Sequence, residues 1–155
     1  MNIYLCLQAS LLLFLSNTLQ AADIQLNEGW VSAPLTESAS TVAAFGVIAN
    51  LSQQEVSIVG ASSDYAEKVQ FHRIEHIEGL VKMVLVPSIQ IPSKGQVSLT
   101  ADGLHLMLMG LQKMPWKEDH ISIQLVLNTG DEVTQRFKLR GRNQTQTPGK
   151  ERGHH

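Results

Sequence analysis

HISIQLVLN, residues 120–128, alternates without a break. Ile121, Ile123, Leu125 and Leu127 fall on one side, and Ser122, Gln124 and Val126 on the other. A period of two belongs to a strand with one face in a core. Outward from this stretch the habit recurs. Thr41 to Asn50, Glu55 to Ala61, Val81 to Val86, Gln96 to Thr100 and Glu132 to Leu139 are short apolar segments, and Val69, Phe71 and Arg73 alternate in another. Turn-forming residues separate them, among them Glu78-Gly79, Pro92-Ser93-Lys94-Gly95, Asp102-Gly103 and Asn128-Thr129-Gly130-Asp131. Short strands so spaced predict an all-β barrel or sandwich. Only Ser62 to Lys68 reads as a helical turn, capped by Ser or Asp.

The chain has 155 residues, enough for one domain with its own core. A net charge of −2 leaves no basic footprint for nucleic acid. Residues 1–21 carry no charged side chain and centre on Leu11 to Leu15, the pattern of a secretory signal cleaved near Ala21 or Ala22. The apolar run falls short of about 18 clean residues, so no membrane insertion is expected once the signal is removed. The expected division is 1–21 signal, 22–139 folded domain and 140–155 flexible tail, the last having no core-forming residue. The single cysteine, Cys6, lies inside the signal, too early for a lipid-bearing residue. The mature chain therefore has no disulfide and no thiolate.

Two of the five methionines stand at alternate positions in His105-Leu106-Met107-Leu108-Met109-Gly110. As a strand, this stretch puts His105, Met107 and Met109 on one face and Leu106 and Leu108 on the other. Methionine commonly fills cores. A histidine in step with it changes the reading, because an imidazole in a dry core needs hydrogen-bond partners. A second His–Met pair lies upstream: His72 and Met83 flank Glu78-Gly79. If residues 77 and 78 form a two-residue hairpin loop, His72 lies opposite Met83. If residues 78 and 79 do, Met83 lies opposite Ile74 and diagonal to His72. Both registers leave the two side chains on one face, whereas a three-residue loop without a bulge separates them. Two such pairs brought together make an N₂S₂ set. Soft, neutral thioethers suit Cu(I) better than Zn, Mg or Ca, and imidazole accepts copper in either oxidation state.

The order His72, ten residues, Met83, twenty-one residues, His105, one residue, Met107 reads H-x10-M-x21-H-x-M. With GWVSAP, VGASSDYAEKVQFH, IPSKGQVSL and DGLHLMLMGL in sequence, it resembles the PCuAC periplasmic copper chaperones from about Glu28 to Leu139. Gln70 stands where that family often has an acidic residue, Leu104 where it often has Tyr, and Met114 to Lys117 replace a Leu-rich loop. The four ligand positions are intact. The resemblance implies a cupredoxin-like Greek-key β-barrel or sandwich. It implies one Cu(I) held by His72, Met83, His105 and Met107. It further implies a periplasmic monomer delivering copper to a cytochrome c oxidase copper domain or to another copper chaperone. Some relatives hold a second copper, often Cu(II), in a His/Met-rich tail. Here only His154-His155 is available, which leaves a weaker Cu(II) site open.

Four other readings compete with this one. A blue-copper carrier needs a Cys ligand that the mature chain lacks. A copper storage protein would share the ligands. A structural β-sandwich would use the methionines only as core. An enzyme is not expected, since no G-x-S-x-G, H-E-x-x-H or paired carboxylate site is evident. Met109 reads as site wall or core, His76 and His120 as surface residues, and Trp30 and Trp116 as packing or rim.

Overall fold

Ile121, Ile123, Leu125 and Leu127 are all buried to within 1% of full coverage, so the alternation at residues 120–128 does what its period requires. The computed structural model describes residues 23–34, 36, 38–112 and 118–141. The signal segment, Met114 to Lys117 and the tail beyond residue 141 lie outside the described residues. Ten strands follow one another: β1 (Ile24–Ser32), β2 (Thr41–Asn50), β3 (Val56–Ser62), β4 (Ala66–Ile77), β5 (Leu80–Val86), β6 (Ile89–Ile91), β7 (Gln96–Leu99), β8 (Leu104–Leu111), β9 (His120–Leu127) and β10 (Glu132–Arg140). No helix occurs among the described residues.

The strands form one sheet in the order β5-β4-β8-β2-β1-β10-β9-β3-β6, with β7 paired to β2. All pairs are antiparallel except β1 with β10. The sheet curls on itself, so that β3 packs on β4 and β6 reaches β2 and β7. Its inner face holds the core, with Val31, Ile48, Ile58, Leu106, Leu108 and Phe137 fully buried. This is the all-β sandwich the turn spacing predicts.

Three details differ from the expectation. The strand β1 has no clean alternation in the sequence because its register shifts between Asn27 and Trp30. Glu28 takes a φ of 51° there, which makes a bulge and resets the pleat. The short β6 is only Ile89-Gln90-Ile91. The helical turn expected at Ser62 to Lys68 is instead a tight reversal from β3 into β4. Ala66 N–H donates to the Ser63 carbonyl at 3.3 Å. Ala66 itself is buried, and a single turn cannot hold a helix against a strand that starts so early.

The bulge presses on β2. Gly46 has a φ of 147°, and a Cβ there would lie 2.8 Å from Gly29 Cα and 3.2 Å from the Asn27 carbonyl oxygen. Both neighbours are backbone and cannot swing aside. Gly46→Ala is expected to destabilise the fold by more than about 1 kcal/mol, read as a lower urea midpoint at unchanged slope.

Candidate metal centre

The sheet's outer face between β2 and β5 carries the candidate ligands. On β8 the inward residues Leu106 and Leu108 are core, which turns His105, Met107 and Met109 outward. On β4, Val69 and Phe71 are core, which turns Gln70, His72, Ile74 and His76 outward. The pairing of β4 with β8 sets His72 directly beside His105 and Gln70 beside Met107. The two imidazole centroids are 6.2 Å apart.

The β4–β5 hairpin turns at Glu78 and Gly79, whose φ values of 53° and 77° suit a two-residue loop. Of the two registers open in the sequence, the second is realised: Met83 pairs with Ile74 and is diagonal to His72. His72, His105 and Met107 are thus immediate neighbours, and Met83 stands on the same face one strand out. Met83 and Met107 flank the histidine row from opposite sides. A strand spacing of about 4.8 Å and a rise of about 3.4 Å per residue put their Cα atoms roughly 16 Å apart on a regular sheet. Met83 would meet the others only by leaning across the face. Its position allows this, since β5 is a sheet edge and Met83 is 49% exposed.

His105 is the opposite case, at 3% exposure. Phe45 covers it on the β2 side at 6.1 Å between ring centroids, Trp30 packs on Phe45 at 4.5 Å with the rings tilted by 40°, and the Arg140 guanidinium lies 5.5 Å over the Trp30 ring. This row of rings crosses four strands and makes one wall of the site. Beyond Met107 an open cavity of about 550 Å³ is lined by Ser32, Pro34, Thr36, Thr41, Ala43 and Met107.

Hydrogen bonds fix the ring orientations. His105 Nδ1 lies 3.0 Å from the Gly103 carbonyl oxygen. His72 Nε2 lies 3.3 Å from Gln70 Oε1, while His72 Nδ1 is buried without any partner. Natively buried polar atoms are paired in the great majority of cases. An orphaned imidazole nitrogen beside a second imidazole and a thioether is what a soft-metal site needs. Among the described residues, no group of three or more His, Cys, Asp or Glu comes together, so the donors on this face are imidazole and thioether.

Burial pushes the His72 pKa below its ordinary 6.5, and the neighbouring His105 adds to the same effect by repulsion. As pH falls through 6.5 the unfolded chain takes up this proton before the folded chain does. Stability contributed by neutral His72 is therefore present above pH 6.5 and lost on acidification toward the lowered folded value. Melting temperatures of metal-free protein should fall over that window. His72→Asn should show a shallower fall, which separates this histidine from the carboxylates that titrate lower.

Met109 lies on the outer face between Thr41 and Lys68, half-buried, and is absent from the core. Met109 is thus an outer-face residue and not part of the core. His76 is exposed near the hairpin tip, and His120 is half-buried at the start of β9. Trp30 packs on Phe45, whereas Trp116 lies outside the described residues. One contributor, Phe45, has no signal in the sequence. Phe45 belongs to the site only through the β2–β8 register. Gln70, a departure from the family pattern, is legible as a neighbour, because it shares the face of His72 two residues before it.

A family model described as "Putative lipoprotein LpqE-like" matches residues 24–139. A curated relative, "Putative lipoprotein Lxx21020" of Leifsonia xyli subsp. xyli, is 31% identical over 112 residues, 72% of this chain. The match spans just under two thirds of that relative's length, 66%. Among solved structures, the copper-bound PCuAC domain from PmoF2 shares the fold at a TM-score of 0.63 and 22% identity, over 78% of this chain and 96% of that one. CuI-DR1885 from Deinococcus radiodurans is 27% identical with a TM-score of 0.59, over 79% of this chain and 81% of that one. Apo-DR1885 from the same organism is 25% identical, also at 0.59, over 91% and 94%.

Proposed function

The chain belongs to the LpqE-like family and folds as a cupredoxin-like β-sandwich of the PCuAC type, and from that premise we propose that it is a periplasmic carrier of Cu(I). The observation that carries this reading is the outer-face cluster of His72, His105 and Met107, in which a buried imidazole nitrogen has no partner. The copper named in two of the related structures supports it. His72, His105 and Met107 form the seat, and Met83 is the fourth ligand, supplied from the free edge. An edge ligand suits a carrier. Thioether sulfur is neutral and exchanges readily, and a recipient approaching the exposed Val81, Met83 and Leu85 can replace Met83 first. The recipient in this proposal is a cytochrome c oxidase copper domain or another copper chaperone. The lipoprotein descriptions of the family and its relative support an exported, envelope-associated location. The chain is read as a monomer that performs no catalysis.

Anaerobic titration of residues 22–155 with Cu(I) against a chromophoric chelator tests the reading. The expected result is one tight site per chain, with mixed nitrogen and sulfur scattering at copper, Zn(II) held far more weakly and no intense blue colour on oxidation. Scattering from nitrogen and oxygen alone would sink it. Loaded protein mixed with a copper-free oxidase domain then separates delivery from storage: transfer supports the carrier, and retention supports sequestration.

A further inference from the structure

A neutral imidazole has one N–H and one lone pair, and a metal takes the lone pair. Which nitrogen is free depends on what the other one meets. At His105 the partner is the Gly103 carbonyl, 3.0 Å from Nδ1. A carbonyl only accepts, so Nδ1 carries the proton and Nε2 is the free donor. At His72 the partner is Gln70 Oε1, 3.3 Å from Nε2. That oxygen also only accepts, so Nε2 carries the proton and the buried, unpartnered Nδ1 is free.

Building on the copper reading, we propose that Gln70 is a positioning residue: it holds the proton of His72 on Nε2, so that copper is bound by His72 Nδ1 and His105 Nε2. The two histidines, side by side on antiparallel strands, thus offer opposite ring nitrogens. The asymmetry has a geometric use. Nδ1 lies nearer the backbone than Nε2, so the His72 donor stays close to β4 while His105 extends its donor outward from a deeper seat. Gln70 is also level with Met107. One residue therefore hydrogen-bonds the first imidazole and pairs across the strands with the methionine that follows the second. Partners of this kind orient a ligand and typically change metal affinity about 10–100-fold when lost.

Long-range ¹H–¹⁵N spectra of the metal-free protein read the tautomers directly. His72 should be protonated at Nε2 and His105 at Nδ1. Adding Cu(I) should shift His72 Nδ1 and His105 Nε2 and leave the other two nitrogens protonated. Gln70→Leu, similar in size but without an acceptor, should give a mixture of His72 tautomers and about tenfold weaker Cu(I) binding. Gln70→Glu keeps an acceptor and should restore the single tautomer. Three results would overturn the proposal: metal-free His72 protonated at Nδ1, a copper-induced shift at His72 Nε2, or a tautomer unchanged in Gln70→Leu. If the tautomers are as stated but Cu(I) does not bind, the carrier reading itself fails and takes the donor assignment with it.

Discussion

On the proposed ligand set, Met107→Ala is expected to lower Cu(I) affinity at least about a hundredfold while the protein stays folded. The size follows from comparison: losing a group that merely supports a ligand costs about 10–100-fold, and removing the ligand itself costs more. The folded state survives because Met107 is half-buried on the outer face, between Ala43 and Gln70, with an open cavity beside it. Truncation enlarges a space already open to water and leaves no sealed void, so the large penalties of core deletions do not apply. Chelator competition and thermal melts on the same samples check both halves. Met109→Ala is the control, because it makes a similar surface change two residues further along the same face and should leave affinity close to wild type. Equal losses for the two variants would refute the ligand assignment.

Phe137→Ala is expected to give the converse result. Phe137 is fully buried on β10, opposite Ile121 and beside the seam where β10 meets β1. Deleting a buried phenylalanine ring costs about 3–5 kcal/mol. Set against a total of about 5–15 kcal/mol for a domain, that is a large share. At about 4 °C per kcal/mol, the melting temperature should fall by roughly 12–20 °C. Below the new transition, Cu(I) affinity should match the parent, since the ring faces away from the histidines. A parallel loss of affinity in the cold would show that the outer face is not independent of the core.

The sequence disclosed the strands whose period was unbroken. β2, β7 and β9 stand within a residue of their expected limits because each is bounded by turn residues and has one buried face. β1 was hidden by its bulge, where one extra residue inverts the alternation, and β6 is too short to have a period. The His105 face was legible from parity alone, as local geometry sets it. The register of Met83 was not, because it depends on which residues form the hairpin loop, and sequence left two choices. Phe45 could not have been assigned at all, since its contact with His105 needs a pairing between strands sixty residues apart. The proposed proton positions lay further out of reach. They turn on Gln70 and the Gly103 carbonyl, contacts set by side-chain rotation after the strands are in place.

The parallel pairing of β1 with β10, Trp30 to Ser32 against Lys138 to Arg140, has a consequence for how the molecule comes into being. A chain that emerges from its N-terminal end can pair β1 with β2 at once. The other margin of β1 must wait for the last strand. Until then the growing sheet has raw borders at β1 and, once it has formed, at β9, and such borders invite pairing with other chains. Contacts this distant along the polypeptide also make for slow folding, in the range of milliseconds to seconds. A truncation between β8 and β10 would therefore do more than shorten the protein. It would leave the sheet permanently split and prone to aggregate, even with every proposed copper ligand present.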